Sequence, residues 1–363
     1  MSAQQKCIAP IQIENRIIGD GHPAFIVAEI GINHNGDMVL AKESIAAAAE
    51  AGVDSVKFQN YFTDDFVSDK SLLYTYETHD GPGSELVSVT ESQWDMFHRC
   101  ELSSENLIDL AEYCRKLGIS MHSTPTSQRG IDDLVKAGVG VLKNGSDYLT
   151  NLDLIRAMGK TGLPTVLSTG MATAAEIDEA VAAFRKTGNN KLIVLHCTSS
   201  YPTPDHDVNV KRIQTIRNVW DVLTGFSDHS WGTSASTLSV AFGACWIEKH
   251  YTLDKKLRGP DHRFSMDPDE LRQLVQSVRA AEKQMGSPAI RLMESEQFGR
   301  TGFRLSCVAK DDLAAGTVMT KDHIAYRRPG SGMRPALVDL ILGRKLKKDV
   351  PKGHVFMTQG DFE

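Results

Sequence analysis

Eight short apolar runs with strand-forming composition, each followed by a helix-like stretch, leave this chain few ways to fold. They occupy 24–31 (AFIVAEIG), 54–59 (DSVKFQ), 119–124 (ISMHST), 138–146 (GVGVLKNGS), 164–169 (PTVLST), 191–197 (KLIVLHC), 221–229 (DVLTGFSDH) and 244–250 (ACWIEKH). The intervening segments include Ala-rich amphipathic stretches such as DMVLAKESIAAAAEAG and ATAAEIDEAVAAFRKTG, the latter ending on Gly188 as a helix C-terminus should. Eight strand–helix units in about 250 residues predict an α/β fold, a (β/α)8 TIM barrel. A doubly wound open sheet is the rival. Against it, no run is followed by a Gly-x-Gly-x-x-Gly turn, and polar residues gather at the C-terminal ends of nearly all eight runs, not at one crevice.

Read in order, those ends supply Glu29, Lys57 with Gln59, Thr124, Lys143 with Ser146, Ser168 with Thr169, His196 with Ser199, Ser227 with His229, and Glu248 with His250. In a barrel they form one ring around the active-site face. His229 and His250 then sit on adjacent strands and point into the same mouth.

Two regions break the repeat. Residues 60–102 form a polar insertion containing ETHDGPGSE, better suited to an active-site loop or lid than to the barrel wall. Beyond about 287 the chain changes character: 310–324 and 347–362 resemble each other, with Asp312 matching Asp349, Gly316 matching Gly353 and Val318 matching Val355. The predicted organisation is a catalytic barrel over 1–286 with a short N-terminal extension, a linker over 287–300, and a compact β-rich domain over 301–363.

Bulk properties exclude other classes. A net charge of −6 over 363 residues, with Lys and Arg scattered, gives no nucleic-acid face. The start, MSAQQKCIAP, lacks a secretion-signal layout, and no apolar run reaches membrane-spanning length, which places the protein in the cytoplasm. The six cysteines, Cys7, Cys100, Cys114, Cys197, Cys245 and Cys307, include no Cys-x-x-Cys pair, so reduced and mostly buried thiols are expected.

A lone strand-end histidine is more often hydrogen-bonded structure than a ligand. Two imidazoles on neighbouring strands, however, can fill two positions of a divalent ion and leave others open for water and a substrate oxygen. Glu29 and Asp261 are the nearby carboxylates, while Glu248 reads as a buried salt bridge. Any single strand-end hydroxyl is best explained as a helix cap. Lys57 and Lys143 on one face with Thr124, Ser146, Ser168, Ser199 and Ser227 nevertheless suit a small dianion such as a phosphate ester. The residues therefore predict a metal-assisted barrel enzyme acting on a phosphorylated anion.

VAEIGINHNGD (27–37), VKFQ (56–59), LSTGMAT (167–173), LHCTSSYPTP (195–204), GFSDHS (225–230), IEKHYTLD (247–254), GPDHRFSMDPDEL (259–271) and RRPGSG (327–332) resemble, in order and over nearly the whole chain, the sialic acid synthase family. The terminal region resembles that family's antifreeze-like (SAF) domain. The resemblance implies condensation of phosphoenolpyruvate with an N-acetylmannosamine-type sugar, giving a nine-carbon 3-deoxy-2-keto acid and phosphate. It also implies a domain-swapped homodimer in which one chain's small domain covers its partner's barrel mouth.

Carried over by motif, His229 and His250 match the ligands of a manganese-like ion, with magnesium or cobalt as alternatives. Lys57, Thr124, Lys143, Ser146, Ser168 and Ser227 match positions around phosphoenolpyruvate, and Ser199 and Tyr201 belong to the motif lining the same pocket. Glu29, Gln59 and Asp261 match polar positions near metal and sugar. Arg328 matches an arginine sent by the partner toward the N-acetyl group.

One stretch departs from the family pattern. Where Lys-Ile-Gly-Ser-Gly-Glu is usual, this chain reads Lys143, Asn144, Gly145, Ser146, Asp147, Tyr148, so the sugar-gripping glutamate is replaced by Tyr148, with Asp147 as a substitute. Thr126 stands where phenylalanine is common. The acceptor stays open between N-acetylmannosamine and a 2,4-diacetamido-6-deoxy hexose of the legionaminic or pseudaminic type. Other readings are a metal-dependent aldolase or a shorter-sugar synthase on the same barrel, and a carbohydrate-binding protein without catalysis.

Overall fold

The computed structural model describes residues 8–81 and 83–363; Cys7 and Pro82 of the insertion lie outside them. Two units are present, 1–286 and 287–363.

The first unit contains eight parallel strands: β1 (Phe25–Gly31), β2 (Ser55–Asn60), β3 (Ser120–Pro125), β4 (Leu142–Asn144), β5 (Thr165–Ser168), β6 (Leu192–Cys197), β7 (Leu223–Asp228) and β8 (Ala244–His250). Hydrogen-bonded ladders run in the order β3-β2-β1-β8-β7-β6-β5-β4. The two ends of that order, β3 and β4, come back to lie beside each other, so the sheet is a nearly closed barrel. All eight expected runs are strands.

Around the barrel lie α1 (Met38–Ala51), α2 (Ser104–Leu117), α3 (Gln128–Ala137), α4 (Leu152–Lys160), α5 (Ala174–Arg185), α6 (Arg212–Trp220), α7 (Ser234–Ala241) and α8 (Pro268–Met285). Their starts follow from local chemistry. Asp37, Ser103, Ser127, Asn151, Thr173 and Asp267 each accept hydrogen bonds from first-turn backbone amides. Apolar faces such as Leu107, Leu110, Ala111 and Cys114 of α2 pack on the outward side chains of the strands.

Strand alternation sends the other face inward. Phe25 and Val27 of β1, Ile193 and Leu195 of β6 and Trp246 of β8 fill the barrel's lower half with Ile11, Ile13 and Ile18 of an N-terminal hairpin. That plug leaves the opposite, C-terminal mouth for polar chemistry. The insertion is not a featureless loop: it contains an antiparallel hairpin, Leu73–His79 with Leu86–Ser92, flanked by short helices at Thr63–Phe66 and Gln93–His98.

In the second unit, Ser306–Ala309 pairs with Ile324–Arg327, preceded by a short helix, Gln297–Gly302, that begins inside the segment expected to be a linker and runs past its end. The duplication has a structural meaning. Asp349 accepts a hydrogen bond from Ala315 N and Asp312 one from Lys352 N, both at 2.7 Å. Each copy thus caps the turn of the other, while Leu313 and Val350 bridge between them. Gly316 (φ 82°) and Gly353 (φ 85°) hold the same left-handed turn conformation in both copies.

Among the described residues no helix is long and apolar enough to cross a membrane. Cys100, Cys114, Cys197, Cys245 and Cys307 are free and buried.

Candidate functional site

The C-terminal mouth of the barrel opens into a cavity of about 460 Å³, a size suited to small-molecule ligands. It brings together Glu29, Lys57, Gln59, Thr124, Lys143, Ser146, Asp147, Tyr148, Ser168, Ser199, Tyr201, Ser227, His229, His250 and Asp261. These residues come from all eight strands and the turns after them. Arg328 belongs to the second unit, where its Nε donates to Phe303 O and its guanidinium lies over the Phe303 ring.

At the cavity floor, Lys57 Nζ lies 2.5 Å from Glu29 Oε2 and 3.2 Å from Glu248 Oε1, and Lys143 Nζ lies 3.9 Å from the same Glu248 oxygen. Lys143 also donates to Ser168 Oγ at 2.6 Å, and Lys57 to Thr124 Oγ1 at 3.4 Å. Burial opposes Glu248 ionisation, but Lys143 and Lys57 outweigh it and hold its carboxyl at about 2. Burial likewise disfavours a charged Lys57, yet Glu248 and Glu29 keep its ammonium above its ordinary value. Lys143 is pulled below its ordinary value, mainly by burial.

While Glu29, raised to about 7, is protonated, two ammoniums over the one Glu248 carboxylate carry a net positive charge that a dianion can complete. Removing that carboxylate leaves buried cations facing each other. Glu248→Gln is therefore expected to lower unfolding free energy by about 3–5 kcal/mol in urea denaturation. Inorganic phosphate should restore more stability to this variant than to the wild-type protein.

Hydroxyls surround the cations. Ser146 Oγ accepts from Gly170 N at 3.0 Å. A Cβ at Gly170 would come within 2.2 Å of Ser199 Oγ and 2.7 Å of Ser146 Oγ, so glycine lets these two serines converge. Gly31 does the same on the other side: its missing Cβ faces Glu29 Oε1, Gln59 Nε2 and Asp261 Oδ2, at 3.1, 3.4 and 3.8 Å. Burial pushes Glu29 up to about 7 despite the opposing pull of Lys57, and pushes Asp261 up to about 6.

The two histidines stand with ring centroids 5.4 Å apart, flanked by Tyr201 and Phe264. His229 Nδ1 lies 2.8 Å from Thr198 O; a carbonyl only accepts, so Nδ1 carries the proton and Nε2 keeps a lone pair. His250 Nδ1 is buried without a hydrogen-bond partner, and Asp261 Oδ2 lies 4.0 Å from it. An orphaned imidazole nitrogen beside a tautomer-locked one is a donor set that fits a divalent cation. Among the described residues no group of three or more His, Cys, Asp or Glu is placed to hold a metal ion.

His196 does not join the ring. Its Nε2 contacts Val208 O at 2.6 Å and its ring stacks on Phe226, on the outer face of the sheet. Cys197 takes the inward place, with Sγ 3.6 Å from Ser146 Oγ and 3.8 Å from His229 Nδ1. Strand alternation counted from the inward Leu195 would have found it. Thr169 also turns away, donating to Leu195 O.

The insertion supplies a wall of the cavity that its polar composition did not announce. Tyr61, Phe66 and Phe97 meet edge to face at 5.0–5.4 Å, with Tyr74 and Met96 beside them in the lining. Tyr148, Asp147 and Thr126 are also in the lining. The Tyr148 hydroxyl is pushed up to about 12 by burial and by Asp147, so it stays a neutral donor.

Known proteins give this geometry a context. A model described as the NeuB family matches residues 44–289, and one described as the SAF domain matches 306–359. The chain is 38% identical over 345 residues to N,N'-diacetyllegionaminic acid synthase of Legionella pneumophila, covering 94% of this chain and 95% of that one. It is 31% identical over 355 residues to human N-acetylneuraminate-9-phosphate synthase, covering 96% and 97%. Among solved structures, an N-acetylneuraminic acid synthetase from Leptospira borgpetersenii matches with a TM-score of 0.71 and 34% identity, over 80% of this chain and 95% of that one.

Proposed function

This chain belongs to the NeuB family, and on that premise we propose that it condenses phosphoenolpyruvate with an N-acetylmannosamine-type amino sugar. The product is a nine-carbon 3-deoxy-2-keto acid, released with inorganic phosphate. The observation that carries this reading is the placement of Lys57 and Lys143, an anion site, in the same cavity as His229 and His250, a cation site.

His229 and His250 would hold a divalent cation, manganese first with magnesium or cobalt as alternatives, and the chemistry it would supply there is Lewis-acid polarisation of the sugar aldehyde. Lys57 and Lys143 bind the phosphate and carboxylate of phosphoenolpyruvate, with Thr124, Ser146, Ser168, Ser199 and Ser227 orienting them. C3 of phosphoenolpyruvate forms a bond to the aldehyde carbon, whose oxygen becomes a hydroxyl. Water adds at C2; Glu29 takes one of its protons, which balances the new hydroxyl on the former aldehyde carbon, and the second proton leaves with phosphate as the C2–O bond breaks to leave the keto group. Gln59 and Asp261, gathered with Glu29 around Gly31, hold the sugar and the water in place.

A second acceptor is favoured by a specific feature. The aromatic wall of Tyr61, Phe66 and Phe97, with Tyr148 in place of a carboxylate, suits the methyl-bearing face of a 2,4-diacetamido-6-deoxy hexose. Phosphate release from phosphoenolpyruvate decides between the two acceptors. It is expected to require manganese and a sugar and to stop with chelator; faster release with N-acetylmannosamine supports the first acceptor, and faster release with the diacetamido hexose supports the second. Release with neither sugar, by protein shown to bind metal, would overturn the reading.

The reading extends to a homodimer in which Arg328 of one chain serves its partner's sugar site. It also places the enzyme in the cytoplasm, where phosphoenolpyruvate is available.

A further inference from the structure

The two histidines are each preceded by a charged residue that the chemistry above does not use. Asp228 precedes His229 and Lys249 precedes His250, and both are buried, with 1% and 3% of their surface exposed. They are ladder partners across β7 and β8, with Lys249 Nζ 2.9 Å from Asp228 Oδ2. Strand alternation turns the pair outward, toward α7, while the histidines line the mouth.

Every polar atom of the pair is engaged. Asp228 Oδ1 accepts from Ser230 N at 2.8 Å and Ser230 Oγ at 2.6 Å, and Oδ2 accepts from Ser236 Oγ of α7 at 2.6 Å. Lys249 Nζ donates to Ser230 O at 2.5 Å.

A buried ion pair is a poor source of stability compared with apolar packing, but it can specify one arrangement over another. Here there is an arrangement to specify. Between Thr224 and Phe226 the β7–β8 ladder is irregular, Ala244 pairing with the first and Ile247 with the second, so β8 carries one extra residue. β7 keeps an unbroken ladder with β6 only as far as Ser227, and β8 one with β1 as far as His250, so above the bulge the end of β7 that carries Asp228 and His229 is laddered to β8 alone. Loss of the pair would let that end shift, changing the spacing of His229 from His250, and leave Asp228 without its cation.

We propose that the Asp228–Lys249 pair, with Ser230 and Ser236, is the lock that holds the end of β7 against β8 and so sets the spacing and aim of His229 and His250. It is a positioning device that governs divalent-cation affinity without touching the cation. The proposal rests on the reading of those histidines as ligands.

The test is manganese binding to the full-length protein, followed by the paramagnetic resonance of free Mn²⁺, in wild type and in Lys249→Met, Lys249→Arg, Ser236→Ala and His250→Ala. Lys249→Met is expected to weaken Mn²⁺ binding by about 10- to 100-fold, the usual range for residues that orient ligands. Phosphoenolpyruvate binding without metal should change by less than about twofold, because Ser227 and Glu248, one position below the pair, stay held by their ladders to β6 and β1. Lys249→Arg should recover most of the loss, and Ser236→Ala should give a smaller weakening in the same direction.

Wild-type Mn²⁺ affinity in folded Lys249→Met overturns the lock, as does loss of Mn²⁺ and phosphoenolpyruvate binding together. If Lys249→Met does not fold, unchanged affinity in Ser236→Ala overturns it. Mn²⁺ binding indifferent to His250→Ala overturns the ligand reading and the proposal together, whereas binding that needs the histidines but ignores the pair overturns the proposal alone.

Discussion

Glu29→Gln is expected to lower kcat by about a thousandfold, the scale of a lost general base, with little change in the KM for phosphoenolpyruvate. Glutamine keeps the shape and the hydrogen bonding toward Lys57 but cannot accept the proton of the water that adds at C2. The wild-type pH profile supplies the second half of the test. Burial disfavours the carboxylate and raises Glu29 to about 7, so the base form gains population as pH rises. The kcat/KM profile, which reports the free enzyme, should therefore climb through about pH 7 to a plateau.

Bound phosphoenolpyruvate adds negative charge beside Glu29, so the limb in kcat should lie at higher pH than the limb in kcat/KM. In Glu29→Gln the limb should vanish, whereas Asp261→Asn, which removes another raised carboxyl of the cavity, should keep it. Near-normal turnover of Glu29→Gln with an unchanged profile would remove Glu29 from this role.

The barrel and its ring were legible because both depend on short-range pattern. A parallel strand buried on both faces reads as an apolar run, and the barrel's geometry places whatever ends that run at one mouth. Lys57, Lys143, His229 and His250 could be named on that ground. The phase of a strand is harder to read than its presence. His196 and Cys197 are neighbours, and choosing the more reactive residue type over the one in phase with Leu195 put the wrong residue in the ring.

The aromatic wall was hidden for another reason. Tyr61, Phe66 and Phe97 are dispersed through a polar segment and meet only when the hairpin brings its flanking helices together, a long-range arrangement that no local period encodes. The Asp228–Lys249 pair was masked by its neighbours: each residue adjoins a histidine that attracts the functional reading, and only the ladder register shows that the two meet.

Mixing two inactive variants is the strongest test of the dimer. In the proposed dimer, Arg328→Ala removes the small-domain arginine assigned to the sugar and Glu29→Gln disables the barrel, so each purified variant is expected to be nearly inactive. If the small domain serves the partner's barrel, a heterodimer contains one site made of an intact barrel from the Arg328→Ala chain and an intact arginine from the Glu29→Gln chain. Its other site carries both defects. With random exchange half the dimers are mixed and each has one working site, so activity should return to about a quarter of the wild-type level. If Arg328 serves its own barrel, every site in every dimer carries one defect and no activity returns. The Arg328→Ala homodimer separates a sugar role from a fold role: a raised KM for the sugar with unchanged phosphoenolpyruvate KM assigns the guanidinium to the acceptor. Within its own unit that side chain donates to the Phe303 carbonyl and lies over the Phe303 ring, contacts that an exposed guanidinium can exchange for a sugar.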